Sequence, residues 1–191
     1  MFSLNNISIE NMTIFSNTAQ RGGGCYIRGN ASEFNNLNIA NNNAVEGGGI
    51  FFNNMIAYTD NINGYIVAVP YIRILENSTI SNNTAILDGG GVYYSNSDVN
   101  FHEVVITSNS AGLGGGVYLE NSPYSVDFTN TTIQYNIAET PPHMDYSLGG
   151  GIYMHSSSLN LMDVLIHSNM ADSGGGIYAE TSGWAHLTLL N

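Results

Sequence analysis

The sequence predicts an all-β fold built from repeats, and three observations support that prediction. Three glycines followed by an apolar and an aromatic residue occur six times in the 191 residues, starting at Gly22, Gly47, Gly89, Gly114, Gly149 and Gly174. Each copy follows an Ile-x-x-Asn-x-Ala motif, and apolar residues alternate with other residues around both motifs. The glycine motifs start 25, 42, 25, 35 and 25 residues apart. A period of this size is typical of repeat architectures.

The segment before each glycine motif predicts two short strands joined by a bend. Its asparagine recurs as Asn17, Asn42, Asn83, Asn109, Asn136 and Asn169. Apolar residues predominate ten and eight positions before this asparagine, and again five and three positions before it. Each pair indicates a strand, and the change of phase between pairs indicates a bend that keeps both sets inward. We expect these asparagines to adopt left-handed backbone and to stack as a hydrogen-bonded ladder.

The residues after each glycine motif predict a third strand. Its first and third residues are apolar or amphipathic, so the aromatic residue between them is expected to point outward. These aromatic residues should form one column: Tyr26, Phe51, Tyr93, Tyr118, Tyr153 and Tyr178. Two interpretations are open, an aromatic stack between repeats or a strip that contacts glycans or a neighbouring subunit. The glycines predict a corner that is left-handed or closely approached by another backbone.

Together the strands predict a right-handed parallel β-helix, a solenoid of about six coils with three short strands in each coil. The handedness follows the rule for parallel crossover connections. Residues 1–191 are expected to form a single domain. Because the first and last residues fall inside a coil, we expect a fragment of a longer solenoid. Its partners would then be further coils of the same protein or other protein chains.

Two inserted loops interrupt the period, at residues 53–72 and 139–148. Loops longer than a fold requires often carry function. The first loop is rich in apolar residues, and we predict that its Tyr65, Val67 and Tyr71 contact a partner chain. The alternative is that this segment folds back as an extra strand and covers one side of the solenoid.

Composition argues against several classes of protein. Three basic and fifteen acidic residues give a formal net charge of −12, and lysine is absent. A nucleic-acid-binding protein needs a basic surface to neutralise phosphate, so no nucleic acid is expected as a partner. No apolar run is long enough to span a bilayer, so no transmembrane segment is predicted. The single cysteine, Cys25, excludes an intrachain disulfide.

The sequence predicts no catalytic, cofactor-binding or metal-binding residue. The glycine triplets lack the Lys-Ser/Thr pair of a phosphate-binding loop. Aspartates such as Asp127 and Asp163 hold different places in the repeat, and Arg73 is the one basic residue at a matching position. An acid–base pair for polysaccharide cleavage is therefore not predicted. The histidines are dispersed and no calcium-loop pattern occurs, so at most weak surface binding of Ca²⁺ is expected.

Six Asn-x-Ser/Thr triplets, the acceptor signal for N-linked glycans, start at Asn6, Asn11, Asn30, Asn77, Asn82 and Asn130. Because asparagine is abundant in this chain, most of them are expected by chance. The triplets alone therefore do not predict secretion.

The Gly-Gly-Gly-Ile-Tyr and Ile-x-x-Asn motifs resemble the repeats of polymorphic outer membrane proteins. In that family a Gly-Gly-Ala-Ile-like motif alternates with Phe-x-x-Asn. This chain has Gly in place of Ala and Ile in place of Phe, and the resemblance covers all six repeats. It implies a right-handed β-helix of the pectin-lyase-like kind, an extracellular or cell-surface location and an adhesive role.

The expected function is accordingly a non-enzymatic structural or adhesive surface module that contacts proteins or glycans. The alternative is a polysaccharide-active lyase or hydrolase, or a passive glycan-binding domain. Regular repeats without an in-register acid–base cluster favour the first of these.

Overall fold

The computed structural model describes residues 8–29, 33–55, 58–62, 65–69, 73–122, 124–142, 145–180 and 186–190, with backbone only for 58–62 and 65–69. Every secondary-structure element assigned in these ranges is a β-strand, which confirms the all-β prediction. The strands are β1 (Ser8–Phe15), β2 (Cys25–Arg28), β3 (Glu33–Ala40), β4 (Asn43–Glu46), β5 (Ile50–Asn53), β6 (Tyr58–Ile62), β7 (Tyr65–Val69), β8 (Arg73–Glu76), β9 (Thr79–Ser81), β10 (Thr84–Asp88), β11 (Val92–Ser95), β12 (Val99–His102), β13 (Val105–Thr107), β14 (Ser110–Ala111), β15 (Val117–Glu120), β16 (Ser125–Thr129), β17 (Thr132–Gln134), β18 (Ile137–Ala138), β19 (Ile152–His155), β20 (Ser158–Met162), β21 (Leu165–His167), β22 (Ile177–Glu180) and β23 (Leu187–Leu190).

Equivalent strands of successive repeats pair in parallel and form three sheets. The first sheet has 11 strands in the order β21-β17-β13-β9-β3-β8-β12-β16-β20-β23, with β1 also on β3. The second has the order β18-β14-β10-β4, and the third the order β2-β5-β11-β15-β19-β22. We number the repeats 1 to 6 by their motif asparagine, from Asn17 to Asn169. Three parallel sheets built from equivalent segments are consistent with a parallel β-helix.

The register between repeats has no slip across the third sheet. Val92 pairs with Ile50 on one side and with Val117 on the other, and Tyr93 pairs with Phe51 and Tyr118. Similar side-chain types therefore lie above one another, as the internal repeat of the sequence requires.

The predicted bend between the first two strands is present. In repeat 4 the residue at the bend, Glu103, has a φ of 53°, and Phe101, Val104 and Ile106 on either side are buried. A left-handed residue reverses the alternation, so the apolar residues of both strands face the same core. Equivalent bends lie at Asn11, Asn36, Asn77, Asn130 and Asp163.

The prediction that the motif asparagines are left-handed is wrong. The positive φ belongs to the preceding residue in each repeat: Ser16, Asn41, Asn82, Ser108, Tyr135 and Ser168. These residues lie at the outer surface of the corner and turn the chain. The turn leaves the motif asparagine free to point its amide inward, where Asn83 and Asn136 are fully buried.

The structure also adds a strand that the sequence analysis did not predict. The segment between the motif asparagine and the glycines forms the second sheet, for example Thr84–Asp88 in β10. Only short stretches of it pair, such as Thr84 with Asn43 and Ser110. Strands of two to five residues carry too little alternation to be read from sequence.

One apolar core runs through the repeats. It is formed by inward residues of the first and third sheets, including Phe52, Leu75, Val92, Phe101 and Phe128. Cys25 packs against this core, and burial raises the pKa of its thiol to about 11. Arg73 stands at a core position, 2% exposed, with its guanidinium 4.0 Å from the carboxylate of Asp98.

The first inserted loop is shorter than predicted. Asn53 belongs to β5, and Met55 is fully buried in the core, where its carbonyl accepts a hydrogen bond from the Asp98 N–H. The insertion therefore comprises residues 56–72. Within it, β6 and β7 form an antiparallel hairpin in which Tyr58 pairs with Val69 and Ile62 with Tyr65. In the part of the chain that the structure describes, no helix has the length and apolar character needed to cross a membrane.

Candidate functional site

The motif asparagines form the predicted hydrogen-bonded ladder. The Nδ2 of each donates to the Oδ1 of the next at 3.0–3.1 Å, from Asn17 through to Asn169. Each Oδ1 also accepts the backbone N–H of the preceding ladder residue, as Asn109 does from Asn83 at 2.9 Å. The second N–H of each amide is used as well, since Asn109 donates to the Ile80 carbonyl. The interior ladder amides are thus fully satisfied within the chain, which is a structural role.

The glycine triplets leave room for the backbone of the neighbouring repeat and for the ladder amides. The first glycine of each triplet has a positive φ, 67° at Gly89. A Cβ on the second, Gly90, would collide with the carbonyls of Gly115 and Ser110, and one on Gly91 would lie 2.6 Å from the Gly116 carbonyl and 3.0 Å from the Asn109 Nδ2. The three positions are therefore glycine for steric reasons, one for its dihedral angle and two for the neighbouring repeat.

The aromatic column stacks along the outer face of the third sheet. Successive ring centroids from Tyr26 to Tyr178 lie 5.2, 4.3, 4.8, 5.0 and 5.5 Å apart, with every pair stacked. Phe51, Tyr93, Tyr118 and Tyr153 are buried in a cluster that also contains Leu148, with Leu113 and Tyr178 packed against it. Tyr26 is 43% exposed and Tyr178 is half-buried. The column thus forms a second apolar cluster, and four of its six predicted contact residues face other residues of this chain.

Two rows of side chains border the column. The first row precedes the glycines and consists of Arg21, Glu46, Asp88, Leu113, Leu148 and Ser173. The second row ends the third strand and consists of Arg28, Asn53, Ser95, Glu120, His155 and Glu180. Tyrosine hydroxyls donate to the second row, Tyr93 to Glu120 at 2.8 Å and Tyr153 to Glu180 at 3.2 Å.

Asp88 is the most perturbed carboxyl group of the first row. Burial raises its pKa to about 7, and the nearby carboxylates of Glu46 and Glu120 contribute to the rise. Among the described residues, its buried Oδ1 has no hydrogen-bond partner. Burial and nearby carboxylates also raise the pKa of the Tyr93 and Tyr118 hydroxyls, so both hydroxyls remain neutral. A carboxyl that holds its proton near neutral pH is a candidate general acid.

The second inserted loop contributes a groove at the far end of the column. The groove has a volume of about 400 Å³ and is lined by Leu113, Asp145, Tyr146, Leu148, Tyr153, Tyr178 and Glu180. Tyr146 is 57% exposed. The groove thus combines exposed aromatic faces with two carboxylates, and it opens to solvent beside the buried part of the column.

Asp172 fixes this second loop to the repeats. Its carboxylate accepts hydrogen bonds from the Thr140 hydroxyl at 2.7 Å and from the N–H and hydroxyl of Ser147. These bonds hold the pKa of Asp172 below its usual range. Ser147 and Leu148 are buried and Leu148 pairs with Ser173, so the last two residues of the predicted insertion belong to the repeat.

The remaining predicted contact residues are placed only in part. Tyr65 and Val67 lie in β7 of the hairpin, while Tyr71 lies outside the described residues. Among the described residues, no group of three or more His, Cys, Asp or Glu side chains could hold a metal ion.

The sequence analysis missed the acidic border of the column. It compared aspartates with one another and found no register, whereas Asp88 is in register with Glu46. The signal was available, because both residues immediately precede a glycine triplet. Comparison of the chain with family models, with curated proteins and with solved structures finds no match.

Proposed function

We propose that this chain is a right-handed parallel β-helix, a solenoid of about six coils, that serves as a non-enzymatic structural or adhesive module outside the cell or on its surface. Its handedness follows the crossover rule, and its location follows from the resemblance to polymorphic outer membrane protein repeats, to whose family we propose that it belongs. Its partners are protein chains, including further coils of the same protein, or glycans.

One observation supports an adhesive module best. The recurrent polar and aromatic side chains are used between repeats, in the asparagine ladder and the aromatic stack. The β6–β7 hairpin and the groove beside Tyr146 depart from the repeat, and the groove is open to solvent. A regular scaffold that presents irregular loops is the usual arrangement of a binding surface.

A binding assay with a matched tyrosine pair tests this function. The protein is applied to a glycan array and, on beads, to cultured cells. Tyr146→Ala, in the groove, should lower binding about tenfold or more, because exposed aromatic residues often dominate contact energy. Tyr135→Ala is the control, since its side chain is 54% exposed but lies at a different corner. Equal binding by both variants and the unchanged protein would remove the groove from the contact surface.

The second candidate function is cleavage of a polysaccharide. It is favoured by the raised pKa of Asp88 and by Glu120 on the other side of the tyrosines. Glycoside hydrolysis requires two carboxyl groups, one of which acts as the general acid, and the raised pKa of Asp88 suits that role. Release of reducing sugar from acidic and neutral polysaccharides measures it. Turnover that disappears in both Asp88→Asn and Glu120→Gln would replace the adhesive proposal with an enzymatic one.

A further inference from the structure

One corner of the fold presents a column of exposed residues along the first sheet. It is the bend between the first two strands of each repeat, and its six residues all have a positive φ: Asn11, Asn36, Asn77, Glu103, Asn130 and Asp163. All six are exposed. Left-handed backbone at this corner explains why four of the six are asparagine. It does not explain which residue stands two positions later.

Alternate repeats carry an Asn-x-Thr triplet at this corner. The triplets are Asn11-Met12-Thr13 in repeat 1, Asn77-Ser78-Thr79 in repeat 3 and Asn130-Thr131-Thr132 in repeat 5. The even-numbered repeats interrupt the pattern, because the equivalent of the threonine there is Asn38, Val105 or Leu165. Three of the six triplets in the chain therefore fall on one structural position, in every second repeat.

In each triplet the asparagine is exposed, and the threonine is exposed in repeat 1 and half-buried in repeats 3 and 5. The asparagine is exposed at the bend, the middle residue points toward the core, and the threonine points outward again. In repeat 3 the middle residue Ser78 is 3% exposed, whereas Asn77 is exposed and Thr79 is half-buried. Neighbouring repeats are about 4.8 Å apart, so acceptors in alternate repeats are about 9.6 Å apart.

We propose that Asn11, Asn77 and Asn130 are acceptors of N-linked glycans, which would form a column of carbohydrate at every second repeat along this edge. The inference rests on the extracellular location in the proposed function. The Asn Nδ2 would form a bond to the anomeric carbon of an oligosaccharide carried on a lipid pyrophosphate. The bond from that carbon to the phosphate oxygen breaks, the lipid pyrophosphate leaves, and the amide loses one proton to the transferase.

The corner can keep its structure after modification. The Nδ2 of Asn77 donates to the Oδ1 of Asn35 at 3.2 Å, and the Oδ1 of Asn11 accepts from Asn36 at 2.8 Å. A glycosylated amide retains one N–H and its carbonyl oxygen, which are the groups that these bonds use. Glycans are bulky. Acceptors in alternate repeats leave room for each glycan, whereas acceptors in every repeat would crowd them.

Site-resolved mass spectrometry of the protein secreted from a glycosylating eukaryotic cell tests the proposal. Thr13→Ala, Thr79→Ala and Thr132→Ala each remove one acceptor signal and leave the corner asparagine in place. Each should lose one glycan, from its own asparagine only. Asn38→Ala, at the same position of repeat 2, is the control and should leave the mass of the glycans unchanged. Asn82 and Thr84 are the exposed ends of a further triplet at a different corner, so each peptide is measured separately.

A gained site tests the spacing. Asn38→Thr creates a new acceptor triplet that begins at Asn36, between the acceptors of repeats 1 and 3. We expect incomplete occupancy of Asn36, or loss of occupancy at Asn11 or Asn77, because neighbours would be about 4.8 Å apart. Full occupancy of all three would overturn the spacing argument, and a secreted protein unmodified at Asn11, Asn77 and Asn130 would overturn the proposal. Glycans on a protein that binds no surface would instead contradict the adhesive function alone.

Discussion

The asparagine ladder and the aromatic column each stack one residue from every repeat. They differ in how completely the polar groups in and beside them are hydrogen-bonded. Every amide group of Asn109 has a partner within the chain, and the residue is 1% exposed. The column stacks as regularly, but it is bordered by carboxyl groups, and the buried Oδ1 of Asp88 has no partner among the described residues. A stack whose polar groups all have hydrogen-bond partners contributes to stability. A stack with unsatisfied polar groups at its border offers a place for chemistry or binding.

Breaking the ladder should give the largest effect. Asn109→Ala leaves the backbone N–H of Asn83, one N–H of its amide and the Ile80 carbonyl without these partners, while the Asn136 Oδ1 keeps the backbone N–H of residue 109. We expect a loss of about 4 kcal/mol in the free energy of unfolding, since each buried unsatisfied group costs about 1–3 kcal/mol. Denaturant unfolding measures it, with Gln134→Ala on the outer face as the control. A loss no larger than the control's would show that the ladder is not a main source of stability.

Neutralising the border should give a pH-dependent gain. The pKa of Asp88 is raised in the folded state, so the folded protein holds a proton that the unfolded chain releases. The proton on Asp88 therefore stabilises the folded protein fully below about pH 4, and this contribution is lost as pH rises through about 7. Asp88→Asn should be more stable than the unchanged protein at pH 8, by about 2 kcal/mol after allowance for partial exposure.

Thermal unfolding from pH 4 to pH 8 checks this expectation. The difference in melting temperature between Asp88→Asn and the unchanged protein should grow across that range. Asp163→Asn, at an exposed corner, controls for the removal of one negative charge. A difference in melting temperature that is constant with pH would mean that Asp88 is ionised throughout this range and that its pKa is not raised.

Interrupting the column should have a smaller effect. Tyr118 stacks on Tyr93 at 4.8 Å and on Tyr153 at 5.0 Å. Tyr118→Leu keeps an apolar side chain but removes both ring contacts, so we expect a loss of about 1 kcal/mol beyond the loss of buried area. Tyr118→Phe, which imitates Phe51 in the same column, should cost less. Equal stability of the two variants, measured by denaturant unfolding, would show that burial and not stacking holds the column.

Removing the first insertion should change stability least. Asp98 alone joins Ser97 to Val99, the positions that match Met55 and Arg73. Replacement of residues 56–72 by a single aspartate should therefore preserve the repeat and change the free energy of unfolding by less than about 1 kcal/mol. Binding to protein partners should be lost. If binding survives and the melting temperature falls sharply, the hairpin is a cover for the side of the fold.

The sequence by itself determined the repeat, its period and the roles of most repeated positions. The ladder of Asn17 to Asn169 and the bend before it were predicted, and the aromatic stack was one of the two interpretations left open, because each depends on a local pattern that recurs six times. The left-handed corner was misplaced by one residue. Repeat 2, for example, has two adjacent asparagines at this corner, Asn41 and Asn42. The sequence pattern does not reveal that Asn41 turns the chain and that Asn42 enters the ladder.

Only the tertiary structure decided what surrounds each column. Leu113 and Leu148 bury the middle of the aromatic column, and Asp88 lies beside Glu46 although their positions differ by 42 residues, 88 − 46, in the sequence. The short second sheet and the groove beside Tyr146 likewise arise from contacts between different repeats and an insertion. Burial, and with it the pKa of a carboxyl group, is a property of all the neighbours in space. The local periodicity of a sequence records the side of the chain that a residue faces, but not what lies opposite.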